Sequence, residues 1–215
     1  MSSSCLASVK SRQERIHLSY WSPSPSKTAA KVFVVIGPSG VGKSTMLEKL
    51  QERGVLFEKI ISHTTRPMRP SEQNGVDYVF ITQEDYKEKE RREEFVISTE
   101  VHGNLYGTSK TFIYEKLEKE INLVCDLNTE AAKKMKALFK EKVVTIFIAP
   151  PSVEELKRRL VERNTDSEEA LAIRLKNADE ELNLQDQFDY KIVNDDLLSA
   201  VQKLEGIFHH HRRLL

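Results

Sequence analysis

Residues 37–44 read GPSGVGKS, which fits the pattern G-x-x-x-x-G-K-[ST] and directly follows the apolar run VFVVI. Glycines here let backbone N–H groups converge on phosphate oxygens, because no Cβ atom stands in the way. The motif predicts an ATP-binding turn between a strand and a helix, with Lys43 on the β and γ phosphates and Ser44 on Mg²⁺. The predicted ATP contacts are Gly37, Pro38, Ser39, Gly40, Val41, Gly42, Lys43, Ser44 and Thr45.

Short apolar runs alternate with longer helical patterns over the rest of the chain. The predicted strands are VFVVI, INLVCDL, VVTIFIA and YKIVN, and the predicted helices cover residues 43–51, 129–139, 152–163 and 196–209. The strands are apolar enough to be buried on both faces, as in a parallel sheet. The alternation predicts an α/β fold in which helices cover both faces of the sheet. Ligands in such folds bind at the carboxyl ends of the strands.

Charge and hydropathy argue against two classes of partner. Basic and acidic residues number 33 each, so no net field favours nucleic acid or a membrane surface. No apolar run approaches the ~20 residues that a membrane span requires. The 215 residues, 39% of them hydrophobic, suffice for one domain with a small insert. The two cysteines, Cys5 and Cys125, stand in unlike contexts that do not favour a disulfide, and the sequence does not decide between a monomer and a homodimer.

The first 30 residues differ in composition from the remainder of the chain. They are rich in serine and basic residues, and Glu14 is their only acid. This composition is typical of an organelle transit peptide, but an unstructured tail has much the same look. A transit peptide would place the protein in a mitochondrion or plastid, and a plain tail would leave it in the cytoplasm. SPSPS then reads as a linker, so the folded part is expected to begin near Lys31.

A second polar segment, residues 61–80, is a candidate for binding the phosphate acceptor. Arg66 and Arg69 lie three positions apart with Glu72 close by, and prolines stiffen the loop around them. Arginine pairs recognise phosphate through paired N–H donors. Two loop arginines alone are more often solvated surface, but Tyr78 and the later segment GNLYGTS, with Tyr106, strengthen the case.

Five blocks of the sequence resemble guanylate kinases in order and spacing. They are GPSGVGKST, SHTTRPMRPSEQNGVDYVF, GNLYGTS, IAPPSVEELKRRLVERNTDSEEALAIRL and DYKIVNDDL, and the resemblance covers about residues 31–208, leaving 209–215 as a basic C-terminal end. It implies a P-loop core, a monophosphate-binding region at about 62–110 and a lid at about 159–175. It also implies that the γ-phosphoryl group of ATP moves to GMP, with Mg²⁺, to give ADP and GDP.

The resemblance also assigns residue roles. It implies catalytic arginines on the lid side, Arg159, Arg163 and Arg174, and a water-mediated Mg²⁺ contact from Asp126, which alternatively caps the following helix. Asn194 lies where the family places a residue near the ATP base, and Asn-Asp-Asp before a helix is also a capping sequence, so both interpretations can hold. The implied GMP contacts are Ser62, Arg66, Arg69, Glu72, Tyr78, Tyr106, Thr108 and Asn128.

Two positions depart from the family where it reads guanine. Ile97 stands where the family carries a glutamate that accepts from N1 and N2 of the base, and Asn128 replaces a second aspartate, while Ser62 is retained for O6. Glu100 is an offset of three away along a strand and would face the opposite side unless a bulge intervenes. Three hypotheses follow: a GMP kinase whose base is held by groups such as Asn128 and Ser98, a kinase for AMP or a deoxynucleotide, and a non-catalytic protein-binding module. Retention of Lys43, Ser44 and the lid arginines disfavours the module.

Overall fold

A computed structural model describes residues 30–70, 72–101, 103–162 and 168–212. Arg163, a predicted lid arginine, lies outside the described residues, as does the predicted tail apart from Ala30. Along the chain the helices and strands are β1 (Val32–Ile36), α1 (Lys43–Glu52), β2 (Glu58–Lys59), β3 (His63–Thr64), β4 (Val79–Phe80), α2 (Gln83–Arg91), β5 (Phe95–Val101), β6 (Asn104–Ser109), α3 (Lys110–Glu118), β7 (Leu123–Asp126), α4 (Thr129–Phe139), β8 (Val143–Ala149), α5 (Val153–Glu162), α6 (Glu168–Leu182), β9 (Tyr190–Val193) and α7 (Leu197–Arg212).

The core is a five-stranded parallel sheet in the order β2-β7-β1-β8-β9. Side chains of the central strand β1 alternate between two apolar clusters: Phe33 and Val35 belong to one, and Val32, Val34 and Ile36 to the other. The first cluster includes residues of α1 and α7, and the second includes residues of α3 and α4. Strand β1 is therefore buried on both faces, and the predicted α/β class, strands and helices are confirmed.

A second sheet has the strand order β4-β3-β6-β5, and its strands lie between β2 and β7 in the sequence. Strands β5 and β6 form an antiparallel pair, and a bulge lies between Phe95 and Ile97. This sheet falls inside the segment predicted to bind the monophosphate. The strand pattern had not predicted it, and helices α2, α3 and α6 were missed as well.

Helix α7 continues to Arg212, past the predicted domain limit at residue 208. No helix among the described residues combines the length and apolar character needed to cross a membrane.

Candidate active site

The phosphate-binding turn lies between β1 and α1, as the motif predicts. Its glycines adopt left-handed backbone angles, with φ of 138° at Gly37 and 100° at Gly42. A Cβ atom on Gly37 would lie 2.2 Å from the carbonyl oxygen of Ile148, so the turn packs directly against β8. Gly42 precedes α1 without a side-chain cap, which leaves the first-turn N–H groups of the helix directed at the turn. This geometry suits the binding of phosphate oxygens.

Lys43 lies at the mouth of this turn. Its Nζ atom donates to the carbonyl oxygens of Gly37 at 2.6 Å and Pro38 at 3.2 Å, and it lies 3.8 Å from Oδ1 of Asp126. The lysine side chain is 12% exposed. The ammonium group is thus held by the turn, within reach of an acid at the end of β7.

A cleft of about 310 Å³ opens beside Lys43. One end, which we call the phosphate end, is formed by Gly37, Ser39, Lys43 and Asp126. Tyr78, just before β4, and Tyr106, on β6, also line the cleft. The other end, the base end, is formed by Ile97, Thr99, Val101, Asn128 and Ala131, and Ser62, Thr108, Leu127 and Glu181 complete the lining. Residues of the two sheets therefore face one continuous space, as the binding of two nucleotides requires.

Asp126 and Ser44 face a common space. Both line a second cleft of about 260 Å³, the side cleft, which shares Asp126, Ser62 and Tyr78 with the first. The interpretation of Asp126 as a helix cap is wrong, because the cap of α4 is Asn128, whose Oδ1 accepts from the N–H of Ala131 at 2.8 Å. A hydroxyl and a carboxylate are the oxygen ligands that Mg²⁺ prefers, so these residues fit the ion.

Arg66 and Glu72 form an ion pair in the loop that follows β3. Nη2 of Arg66 donates to Oε1 of Glu72 at 2.6 Å, and the backbone N–H of Arg69 donates to Oε2 at 2.8 Å. Burial alone would raise the pKa of Glu72, but these two hydrogen bonds outweigh it and the pKa is lowered. Glu72 therefore fixes the guanidinium of Arg66 but holds only the backbone of Arg69, whose side chain is exposed.

Tyr78 and Tyr106 lie beside this pair and join it to the cleft. Their ring centroids are 5.8 Å apart, and the guanidinium carbon of Arg66 lies 5.4 Å from the centroid of Tyr78. Burial, with the nearby charge of Asp126, raises the pKa of Tyr78 to about 12. The phenol of Tyr78 is therefore a neutral hydrogen-bond donor at ordinary pH.

The two described lid arginines have different partners. Nη1 of Arg174, on α6, donates to Oγ of Ser39 at 2.8 Å and so reaches the phosphate-binding turn. Arg159, on α5, donates to Oε1 of Glu155 at 2.8 Å and to the carbonyl oxygen of Asn194 at 3.1 Å. Arg174 thus contacts the phosphate-binding turn, whereas Arg159 is hydrogen-bonded within α5 and to the residue that follows β9. The catalytic role of Arg159 stays a prediction.

Asn194, the residue after β9, is hydrogen-bonded to the phosphate-binding turn. It is 5% exposed, and its Nδ2 donates to the carbonyl oxygen of Val41 at 2.7 Å. The Asn-Asp-Asp sequence does cap α7, through Asp196, whose Oδ1 accepts from the N–H of Ser199 at 2.8 Å. Its contact with the ATP base stays a prediction.

On β5, Glu100 faces away from the side of the strand that carries Ile97, as the alternation predicts. Ile97 is 4% exposed and lines the cleft with Thr99 and Val101, whereas Glu100 is exposed. The bulge lies before Ile97 and leaves the alternation from Ile97 to Val101 intact. Glu100 does not replace the missing carboxylate.

Glu181, on α6, was missed by sequence reasoning. It lines the cleft, and its Oε2 atom is buried and has no hydrogen-bond partner within the described part of the chain. Burial raises its pKa, and Lys43 opposes the shift. Its position seven residues after Arg174, about two helical turns on the same face, was the one available signal, and it required recognising α6 as a helix.

A family model, curated relatives and a solved structure were compared with the chain. The guanylate kinase family model matches residues 29–211. The chain is 38% identical over 187 residues to a guanylate kinase of Synechococcus sp. (strain JA-3-3Ab), covering 87% of this chain and 86% of that one. It is 40% identical over 179 residues to a guanylate kinase of Dechloromonas aromatica (strain RCB), covering 83% and 88% of the two chains. The crystal structure of guanylate kinase from Anaplasma phagocytophilum superposes with a TM-score of 0.71 at 30% identity, covering 86% and 88%.

Proposed function

The chain belongs to the guanylate kinase family, and we infer that it transfers the γ-phosphoryl group of ATP to GMP, giving ADP and GDP. The observation that supports this most directly is the single cleft that Lys43 and Ser39 share with Tyr78 and Tyr106. Phosphoryl transfer needs the two phosphates in line, and a site formed by both sheets can place them so.

On the donor side, the phosphate-binding turn and Lys43 are proposed to hold the β and γ phosphates of ATP. The bond from Arg174 to Ser39 places a second cation at the turn. Charge spreads over the γ-phosphoryl oxygens in the transition state, so cations held close to them lower the barrier. Lys43 and Arg174 are the described residues to which we assign this role, and Arg159 would join them through a movement of α5.

On the acceptor side, Arg66 and the phenols of Tyr78 and Tyr106 are proposed to bind the phosphate of GMP. The ion pair with Glu72 holds the Arg66 guanidinium in one orientation, which reduces the entropy lost on binding. The raised pKa of Tyr78 keeps its proton available for donation to a dianionic phosphate. Arg69 is exposed and would have to turn inward to take part.

Ser44 and Asp126 are proposed to hold Mg²⁺, Asp126 through water. Both side chains line the side cleft, and Asp126 lies 3.8 Å from Lys43. The ion would neutralise charge on the β and γ phosphates and fix their orientation.

The test is direct. Purified protein with ATP, Mg²⁺ and GMP is expected to form ADP and GDP in equal amounts, measured by a coupled assay and by chromatography of the products. The activity should require GMP, since transfer to water would give phosphate and ADP alone. Absence of GDP, with ATP and GMP bound as judged by calorimetry, would contradict the assignment and favour a binding module.

A further inference from the structure

We propose that the base end of the cleft does not read the 2-amino group of guanine, so the enzyme also phosphorylates purine monophosphates that lack this group, inosine monophosphate first among them. The proposal deepens the GMP kinase assignment and rests on it. It concerns the base of the acceptor nucleotide, the part farthest from the reacting phosphates.

The wall of the base end is apolar where a base edge would meet it. Strand β5 presents Ile97, Thr99 and Val101 to the cleft, and Ile97 is 4% exposed within an apolar cluster. Isoleucine and valine offer no acceptor, and the threonine hydroxyl can either donate or accept. This wall packs against a flat ring without selecting among its polar edges.

Asn128 presents a donor to the same space. Its Oδ1 atom is occupied by the N–H of Ala131, as the cap of α4. Its Nδ2 atom can only donate, and Oδ1, which already accepts one hydrogen bond as the cap, keeps a single lone pair for a ligand. Guanine carries hydrogens on both N1 and N2, so this edge requires acceptors. A donor at Asn128 suits an oxygen or an unprotonated ring nitrogen instead.

Of the described residues, two carboxylates line the cleft, and both lie near Lys43. Asp126 is 3.8 Å from the Nζ atom of Lys43. Glu181 has Lys43 and Asp126 as the charged groups that act on it, so it also lies toward the phosphate end. Neither acid stands on β5 beside Ile97. Among the residues that the structure describes, the 2-amino group would therefore meet hydroxyls and apolar surface rather than a carboxylate.

The physical consequence is a loss of discrimination. Sites that hydrogen-bond a substrate group reject analogues lacking it by ~10⁴ or more, whereas apolar pockets discriminate by ~10² at most. Hypoxanthine differs from guanine by the 2-amino group alone. The ratio of kcat/KM for GMP to that for IMP is therefore expected to stay below ~10².

The first experiment measures this ratio for the unmodified full-length protein. The rate of ADP formation is followed with GMP, IMP and AMP as acceptors over a range of concentrations. A GMP to IMP ratio below ~10² supports the proposal, and a larger one overturns it while leaving the GMP kinase assignment intact. No turnover with any acceptor would instead overturn the assignment itself. Turnover of AMP, which also lacks the 2-amino group, would support the proposal and show in addition that the site does not discriminate between an oxygen and an amino group at position 6 of the base.

The second experiment restores an acceptor. Asn128→Asp keeps the cap, because aspartate caps helices as well as asparagine does, and it replaces the Nδ2 donor with an oxygen. The GMP to IMP ratio is expected to rise ~10-fold or more, as a charged hydrogen bond allows. The matched control is Asn183→Asp, at an exposed position outside the cleft, which should leave the ratio unchanged. An unchanged ratio in Asn128→Asp would overturn the proposal.

Glu181→Gln tests the remaining acid. If Glu181 turned toward the base and accepted from the 2-amino group, this substitution would lower the GMP to IMP ratio, and the proposal would fail. We expect the ratio to be unchanged, whatever happens to the rate with GMP. Melting temperatures of all variants show whether each has folded.

Discussion

The side-chain amide of Asn194 donates to the backbone carbonyl of Val41 at 2.7 Å, which joins the end of β9 to the phosphate-binding turn across 153 positions of sequence. The same Nδ2 atom would lie 2.6 Å from a Cβ atom on Gly42, so no larger residue fits there without movement. A side chain that is close in space but distant in sequence therefore stabilises the conformation of the turn.

Asn194→Asp should damage ATP binding. The carboxylate keeps the size of the amide but cannot donate, so the Val41 carbonyl loses its buried partner at a cost of ~1–3 kcal/mol. We expect a lower melting temperature and a kcat/KM for ATP reduced ~10-fold or more. Asp195→Asn, at the exposed neighbouring position, is the control and should have neither effect. Unaltered ATP kinetics in Asn194→Asp would show that the turn does not depend on this bond.

Lys43→Met should remove most of the activity while preserving the fold. The lysine contacts the turn through its Nζ atom, and methionine retains the aliphatic stem. Loss of one preorganised cation is expected to lower kcat by ~10²–10³. Lys49→Met, on the same helix but paired with Glu52 at the surface, should retain its kcat. If both variants had equal rates, Lys43 would have no catalytic role.

Glu72→Gln should weaken binding of the acceptor more than binding of ATP. The substitution removes the charge that fixes Arg66, and a hydrogen bond to a charged group is worth ~1.5–3 kcal/mol. We expect kcat/KM for GMP to fall ~10-fold or more, and KM for ATP to change little. Glu84→Gln, on the exposed start of α2, is the control. A larger effect on ATP than on GMP would contradict the assignment of this loop to the acceptor.

The pH dependence of this ion pair has a definite sign. The pKa of Glu72 is lowered in the fold, so its contribution to stability is present above the pKa of the unfolded chain and is lost as pH falls through the folded value. The advantage of the unmodified protein over Glu72→Gln in chemical denaturation should therefore persist at neutral pH and shrink below pH 4.5, the ordinary pKa of a glutamate. An advantage that grew on acidification would contradict the lowered pKa.

The helices and strands that the sequence predicted are marked by patterns of neighbouring residues, whereas the strands that it missed are not. Strand β1 and the helix after it carry local patterns: an apolar run, glycines at fixed spacing and a lysine. By contrast, β2, β3 and β4 have two residues each, too few for any periodicity to register. Within the second sheet, β3 pairs with β4 and β6 through residues that are distant in sequence, such as His63 and Gly107, so no short window along the chain contains both partners. Strands β5 and β6, by contrast, are neighbours in the chain and pair directly.

The site shows the same division. Lys43 and Ser44 follow from the motif itself, whereas the roles of Tyr78 and Tyr106 came through resemblance to a family. The contact of Asn194 with Val41 and the placement of Glu181 in the cleft depend on packing between remote elements. The sequence predicted the local cap of α7 in Asn-Asp-Asp, which Asp196 provides, but not the long-range bond of Asn194.

Tyr78 should titrate well above an ordinary tyrosine. Its pKa of about 12 results from burial and from the charge of Asp126, and it lies above the ordinary tyrosine value of 10.0. The neutral phenol is favoured in the fold, so its contribution to stability is complete below the unfolded pKa and is lost as pH rises through the folded one. Ultraviolet titration of the unmodified protein minus that of Tyr78→Phe should isolate one late ionisation. A difference centred on the ordinary value would show that this phenol is solvated.

Asp189 provides a test of the fold apart from the chemistry. Its Oδ2 atom accepts from the N–H of Thr145 at 2.8 Å, from the hydroxyl of Thr145 at 2.9 Å and from Nζ of Lys136 at 2.8 Å, which ties β8 to the segment entering β9. Asp189→Ala leaves these donors without their acceptor, so the free energy of unfolding should fall by ~1–3 kcal/mol in urea titration. Asp186→Ala, whose side chain is 84% exposed, should change it by less than ~0.5 kcal/mol. Because Asp189 lies outside the cleft, kcat at a temperature well below melting should be retained, and a loss of kcat without loss of stability would contradict a structural role.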